Sequence, residues 1–475
     1  MNHYSITHVK QSPMMGVIGY GGGATSLSRY ADSGRPFWIL TDGSMDTSDN
    51  LRYKSLDVDN VGNIYVGGNV VDNNTSPAYY QHMQYNSYTK AGAYNWQRRL
   101  QVATGEQTNY DMVLSGSHLY AAGNSQSNKV PMIKLSTSNG HITWQKQMKV
   151  GTSSYWRDCR GVDVDSSGNQ YWMTDAQYFD SSNKAVYVFK TNSSGTMQWD
   201  KYFTIANPGG PSNYTPYPNK IKLDDSGNIY LAMQVGGSSQ YDWDAYLVKM
   251  NSSGVIQWDA KLGSTGSYSA QSWSDVAIDS SGNVYVCGKS RANSPSPDRG
   301  LIAKYNSSGT IQWQRQYGDS GNPNFFACDL VDDTDFYVGG STDSWGKTPI
   351  WIKFNTSGEI QYQRYLRDNQ NNNADHMDTI KVVGDNLYGS GQRYIGSSKY
   401  HGFVWTLPSD GSLQGTYGHF TYSAFTHGMS DSSFPASAPG ASTSDCSNCA
   451  ISAAGSNALS EETTGWSIQQ FEEVE

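Results

Sequence analysis

Two short patterns alternate along this chain, and their shared spacing limits the folds open to it. The first reads D-x-x-G-N-x-Y and runs from Asp59 to Tyr65, Asp165 to Tyr171, Asp224 to Tyr230 and Asp279 to Tyr285. Weaker copies end at Tyr120, Tyr337 and Tyr388, and the seven tyrosines lie 55, 51, 59, 55, 52 and 51 residues apart. The second reads K-x-N-S-S-G-x-I-Q-W and runs from Lys190 to Trp199, Lys249 to Trp258 and Lys304 to Trp313, with variants ending at Trp96, Trp144 and Tyr362. Two interleaved series with one period of roughly fifty residues mark a repeat architecture.

Each pattern has a physical origin. Ser-Ser-Gly and Ser-Gly-Asn between apolar runs are hairpin turns, because glycine accepts the positive φ that other residues resist. The aspartate ahead of the turn can accept hydrogen bonds from the backbone that follows it. The run Asn283-Val-Tyr-Val-Cys-Gly is apolar on both faces, as befits a strand covered on each side by a neighbouring sheet. One period therefore holds four strands, over 274–279, 283–288, 301–306 and 310–317. No period carries a 3.6-residue apolar rhythm of helical length, which excludes a helical solenoid. The expected fold is all-β, a β-propeller of four-stranded antiparallel blades.

The number of blades follows from the chain ends. Trp38 precedes Asp59 by 21 residues, the interval that also separates Trp144 from Asp165 and Trp258 from Asp279. It reads as a Trp strand without its own Tyr strand, whereas Tyr388 opens a unit whose Trp position has drifted to Gly415. The N-terminal strand is expected to complete the last blade, closing a seven-bladed ring and removing two free sheet edges. Six and eight blades are the alternatives that the C-terminal strand count leaves open. Three segments result: a Gly-rich N-terminal docking segment (1–33), the seven-bladed β-propeller (34–417) and a Ser/Ala-rich C-terminal tail (418–475). The tail holds too little apolar surface for a core, so it is expected to be disordered or ordered only against a partner.

Charge narrows the partners. With 33 basic and 42 acidic residues the formal charge is −9, the wrong sign for a phosphate-backbone binder, and no nucleic-acid partner is expected. No apolar run approaches ~18 residues, so no membrane insertion by a helix is expected. Residues 1–23 lack a charged stretch followed by an apolar one, the signature of a secretory signal. The five cysteines, Cys159, Cys287, Cys328, Cys446 and Cys449, are too few and scattered for a disulfide framework, which suits folding in a reducing cytoplasm.

Candidate chemistry is sparse. Asp57-Val-Asp59 and Asp163-Val-Asp165 resemble the start of a calcium loop, but the twelfth positions are Gly68 and Thr174 rather than carboxylates. A plain hairpin turn is the preferred reading. Cys446 and Cys449 have metal-ligand spacing without a second Cys or His pair. The sequons at Asn192, Asn251, Asn306 and Asn355 coincide with the repeated turn and need no glycan to explain them. Lys134, Lys190, Lys249, Lys304 and Lys353 recur with the period, as do Arg98, Lys146, Lys201, Arg315 and Arg364. Periodic charge of this kind reads as protection of outer strands against edge-to-edge pairing. No Ser/His/Asp, paired-carboxylate or phosphate-loop pattern stands out. No catalytic, cofactor-binding or metal residue is therefore assigned, and binding residues stay unassigned.

Asp-Ser-Ser-Gly-Asn-Val-Tyr-Val-Cys-Gly and Lys-Tyr-Asn-Ser-Ser-Gly-Thr-Ile-Gln-Trp resemble the bacterial β-propeller repeat family known as SBBP, over roughly residues 35 to 415. That resemblance implies a scaffold and carries no active-site fingerprint. The Gly-rich start, the strand Trp405 to Gly411 and the Ser/Ala-rich tail are also similar in layout to virion structural proteins of marine and cyanobacterial tailed phages. This second resemblance implies a non-enzymatic tail- or fibre-associated virion component, assembled in the host cytoplasm. Its partners would be other virion proteins and a host surface glycan or protein, and it could form a homo-oligomer within the particle. The alternative is a bacterial surface or secreted propeller that binds carbohydrate.

Overall fold

A computed structural model of the chain describes residues 16–18, 26–32, 35–42, 50–72, 80–101, 107–125, 129–149, 157–176, 185–205, 215–236, 243–263, 270–291, 297–318, 321–343, 347–369, 375–396, 399–417, 420–426, 428–431, 436–437, 442–444, 450–453 and 460–462. Among the described residues every element is a β-strand, and nearly all pairings are antiparallel. Unit 1 shows the pattern: Asn50–Val58, Ile64–Asp72, Tyr80–Tyr88 and Tyr94–Gln101 pair in chain order. Units 2 to 6, over 107–149, 157–204, 215–262, 270–317 and 324–368, repeat it. Unit 7 takes three strands from His376–Val383, Asn386–Gly396 and Lys399–Pro408. Its fourth is Arg35–Asp42, with Trp38 opposite Thr406 and Leu40 opposite Val404.

The first repeated pattern is the turn between the first two strands of a unit. In unit 5, Asp279 accepts the backbone N–H of Ser281 (3.0 Å) and Asn283 (2.8 Å) on Oδ1. Its Oδ2 accepts the Asn283 amide (2.8 Å) and the Tyr285 hydroxyl (3.4 Å). Asp59, Asp165 and Asp224 make the same set. Both oxygens serve the turn itself, so the repeated D-x-x-G-N motif is accounted for by turn chemistry. Asp279→Ala should cost about 1–3 kcal/mol, because two backbone donors lose their acceptor. A thermal melt of the variant checks this.

The second pattern joins neighbouring units. Asn192, Asn251, Asn306 and Asn355 cap the turn between third and fourth strands in the same way, each accepting two backbone N–H groups. That turn reaches the tryptophan of the preceding unit. Trp258 donates its indole N–H to the Ser307 carbonyl (2.9 Å), and Trp96, Trp199 and Trp313 bond Thr137, Ser252 and Thr356 likewise. Gly309 sits on the Trp258 ring at φ +81°, where a Cβ would come within 2.7 Å of the indole. Only glycine combines that φ with so close an approach. Trp38, on the N-terminal strand of unit 7, makes the same bond to Lys90 of unit 1 (3.0 Å).

Apolar side chains collect between units rather than within them. Seven buried clusters each draw on two adjoining units, and one of them joins Trp38, Leu40, Tyr388 and Val404 of unit 7 to Leu51, Tyr53 and Val66 of unit 1. The first strands of successive units touch, and that of unit 7 touches that of unit 1.

Two sequence expectations need correcting. The periodic lysines do not guard outer edges. They lie on third strands, where Lys134, Lys190, Lys249, Lys304 and Lys353 place their ammonium groups 4.7–5.5 Å from the ring centres of Tyr120, Tyr171, Tyr230, Tyr285 and Tyr337. This is cation–π pairing across adjacent strands. Nor does pairing stop at residue 417. Phe420–Ala424 adds to unit 6, with Phe420 and Tyr422 buried against Phe403 and Trp351, at centroid distances of 5.6 and 5.4 Å. Phe425 and Met429, further along the segment, pack against the core between units 5 and 6. Cys446, Cys449 and most of residues 1–33 lie outside the described residues.

Candidate functional site

The first strands of all seven units line one cavity of about 390 Å³. Its size falls within the ~300–1,000 Å³ usual for small-ligand sites. Arg52 and Lys54 come from unit 1, Tyr110 and Asp111 from unit 2, Arg160 from unit 3 and Lys220 from unit 4. Asp275 comes from unit 5, Phe325 and Phe326 from unit 6 and Asp378 from unit 7, while Lys289 enters from a second strand of unit 5. The lining thus holds five cationic and three acidic side chains, a local positive excess in a chain whose formal charge is −9.

The acids are occupied. Asp111 accepts Lys220 Nζ (2.7 Å) and the Val162 N–H (3.2 Å). Asp275 accepts the backbone N–H of Val276 (2.8 Å) and Cys328 (3.0 Å). Burial pushes its carboxyl above the usual range, with Lys220 and Lys222 opposing. Asp378 accepts Nε–H and Nη2–H of the Arg52 guanidinium on its two oxygens. Asp111 and Asp275 tie adjacent first strands together, as Asp57, Asp163 and Asp329 do through the N–H groups of Leu114, Leu223 and Val382. These carboxylates stitch the scaffold.

The cations are arranged differently. Lys54 Nζ lies 4.8 Å from the Tyr110 ring centre, and the Arg160 guanidinium lies 4.4 Å from the same ring. Arg160 also sits 5.7 Å from the Tyr217 ring, which meets Trp243 edge-on at 5.5 Å. Cation and aromatic alternate across units 1 to 4 from Lys54 through Tyr110 and Arg160 to Tyr217, and Trp243 extends the aromatic end. The Tyr110 hydroxyl donates to Asp158 (3.1 Å), which also pairs with Arg160 and fixes the ladder's middle rung. Burial, reinforced by Arg52 and Arg160, lowers the Lys54 ammonium to about 8. A second cavity of about 220 Å³ continues outward past Gln234 and Lys289, which line both, to Trp243, Arg291 and Asp298.

None of these residues belongs to the repeated patterns, and sequence reading passed over them. Lys54 and Arg160 both precede their unit's repeat tyrosine by eleven residues, and Tyr110 precedes Tyr120 by ten. On those inner strands the units diverge from one another, and that divergence was the available signal. Among the described residues no group of three or more His, Cys, Asp or Glu side chains is placed to hold a metal ion. No helix there is long and apolar enough to cross a membrane.

No family model matches the chain, and no curated protein matches it. Similar solved structures include the polysaccharide lyase Uly1, at 9% identity over 75% of this chain and 89% of that one, with a TM-score of 0.44. An ulvan lyase bound to -[GlcA(1-4)Rha3S]- is 9% identical over 74% and 91%, with a TM-score of 0.46. The tail fibre of a Staphylococcus aureus phage is 10% identical over 65% and 92%, with a TM-score of 0.19. These likenesses are too remote to carry function, which rests on the chain's own residues.

Proposed function

We propose that the chain is a closed seven-bladed β-propeller whose central cavity binds an acidic carbohydrate. Closure is supported by the seven inter-unit cores and by the Trp38 bond to Lys90, which repeats at the seam the clasp found between other units. The binding reading rests on one observation, the cation–aromatic ladder Lys54–Tyr110–Arg160–Tyr217–Trp243. Guanidinium and ammonium groups suit carboxylate or sulfate substituents, while aromatic faces suit the apolar faces of pyranose rings.

Binding without turnover is the preferred mode. General acid–base work on a glycosidic bond needs a pair of available carboxyl groups, and Asp111, Asp275 and Asp378 are engaged with lysine, backbone amides and arginine. Titration calorimetry with uronate-bearing, sulfated and neutral oligosaccharides tests the reading. Acidic ligands should bind and neutral ones should not; equal binding of both, or of neither, would sink it. Appearance of shortened products would replace the binding module with an enzyme.

Affinity should depend on pH through Lys54. The ammonium is charged below about 8 and neutral above it. Anion affinity is therefore full at lower pH and falls as pH rises through that value. Binding isotherms from neutral to alkaline pH should show a several-fold loss that Lys54→Arg abolishes, since arginine stays charged. The layout resemblance to phage virion proteins supplies a setting, attachment of a particle to a host surface glycan. Finding the chain in purified particles at fixed copy number would support that setting, and its absence would remove it.

A further inference from the structure

The C-terminal segment does not leave the ring after unit 6. It pairs in turn with the fourth strand of units 6, 5, 4, 3, 2 and 1, through Phe420–Ala424, Met429–Asp431, Ala436–Ser437, Ser442–Ser444, Ala450–Ala453 and Ser460–Glu462. The register is regular. Tyr422 stands opposite Leu366, Met429 opposite Tyr317, Ala436 opposite Leu262, Thr443 opposite Phe203, Ile451 opposite Met148 and Glu461 opposite Leu100. Every one of those blade residues lies four positions after its unit's Trp or Tyr362, and every one is fully buried.

The matching tail residues are 7, 7, 7, 8 and 10 apart. Seven residues of extended chain reach ~23 Å, so the interval behaves as a pitch set by blade spacing. The remaining outer edge, that of Arg35–Asp42 in unit 7, is paired by Ser26–Asp32. All seven outer edges are therefore occupied by the chain itself. Short strands separated by Gly, Pro and Ser fit this role, because each needs only to satisfy one stretch of open edge before the chain passes to the next.

We propose that these six short tail strands form a belt, threaded over units 6 to 1 in reverse order, whose binding surface is the row of outer edges at the position four after each of those units' Trp or Tyr362. The belt closes the molecule from outside and keeps those edges from adding strands of a second copy. Its occupant is the chain's own tail, anchored by the buried Phe420 and Tyr422 and by Phe425 and Met429, which pack against the core between units 5 and 6.

The test uses the full chain with a protease site inserted at residues 418–419. After cleavage the two pieces should co-elute on gel filtration at the mass of one chain and separate only in denaturant. Separation in native buffer would overturn the belt, and co-elution at twice that mass would overturn its supply by the same copy. A second variant avoids dependence on the cut. Thr443→Pro with Ile451→Pro puts a residue with no backbone N–H and a fixed φ into the tail strands opposite units 3 and 2, which breaks their pairing. Amides of Met197–Thr204 and Ile142–Lys149 should then exchange about tenfold faster, with those of Ile360–Asp368 unchanged. The doubly substituted chain should also self-associate with rising concentration. Unchanged exchange on both strands would refute the proposal.

Discussion

Removing Arg160 and Lys54 together, as Arg160→Ala with Lys54→Ala, is expected to weaken acidic-oligosaccharide binding by about a hundredfold or more. A hydrogen bond to a charged group contributes ~1.5–3 kcal/mol, so losing one from each side chain removes at least ~3 kcal/mol, or two decades of affinity. The two groups flank Tyr110 at 4.4 and 4.8 Å, and their loss also leaves that ring without its neighbours. Arg315→Ala serves as the control. Arg315 lies on an outer strand, 5.7 Å from the Trp313 ring centre, and its removal should leave the isotherm unchanged. Undiminished binding by the double variant, with near-ultraviolet circular dichroism intact, would move the site elsewhere. Titration calorimetry reads all three proteins.

Trp38→Ala should destabilise the fold by about 3–5 kcal/mol, the range for truncating a large buried aromatic. Trp38 is fully buried between units 7 and 1 and donates to the Lys90 carbonyl across that seam. Its strand pairs with Lys399–Pro408, so the loss falls where the N-terminal strand completes the last unit and meets the first. Trp258→Ala, the same change at an internal seam where the ring is only partly buried, should cost less. Denaturant unfolding compares the two. A cost below ~1 kcal/mol for Trp38→Ala would mean the seam is held by something other than the N-terminal strand.

Much of the scaffold could be read from local pattern. The Asp279 turn and the Asn306 turn satisfy their own backbone within four residues, so their hydrogen bonding is written into consecutive letters. The tyrosine and tryptophan periods followed from the same economy, because every unit must cover both faces against its neighbours. The periodic lysines were misread, since spacing alone did not reveal that each stands opposite its unit's tyrosine on the adjacent strand, as Lys304 does beside Tyr285. The ladder was hidden for a different reason. Lys54, Tyr110, Arg160 and Tyr217 sit on four different units, and residues unrelated in sequence show no motif until their strands converge on one cavity.

The tail marks the same boundary most clearly. Its composition spoke only of a segment too poor in apolar groups to build a core of its own. Where a strand finds six open edges at regular intervals, backbone hydrogen bonds to those edges replace the core it lacks. Sequence by itself determined the β architecture, the turns and the period, because those depend on neighbours a few residues away. Tertiary structure alone decided which cations of the ladder meet which rings and where the tail lies, because those contacts join residues from about fifty to several hundred positions apart.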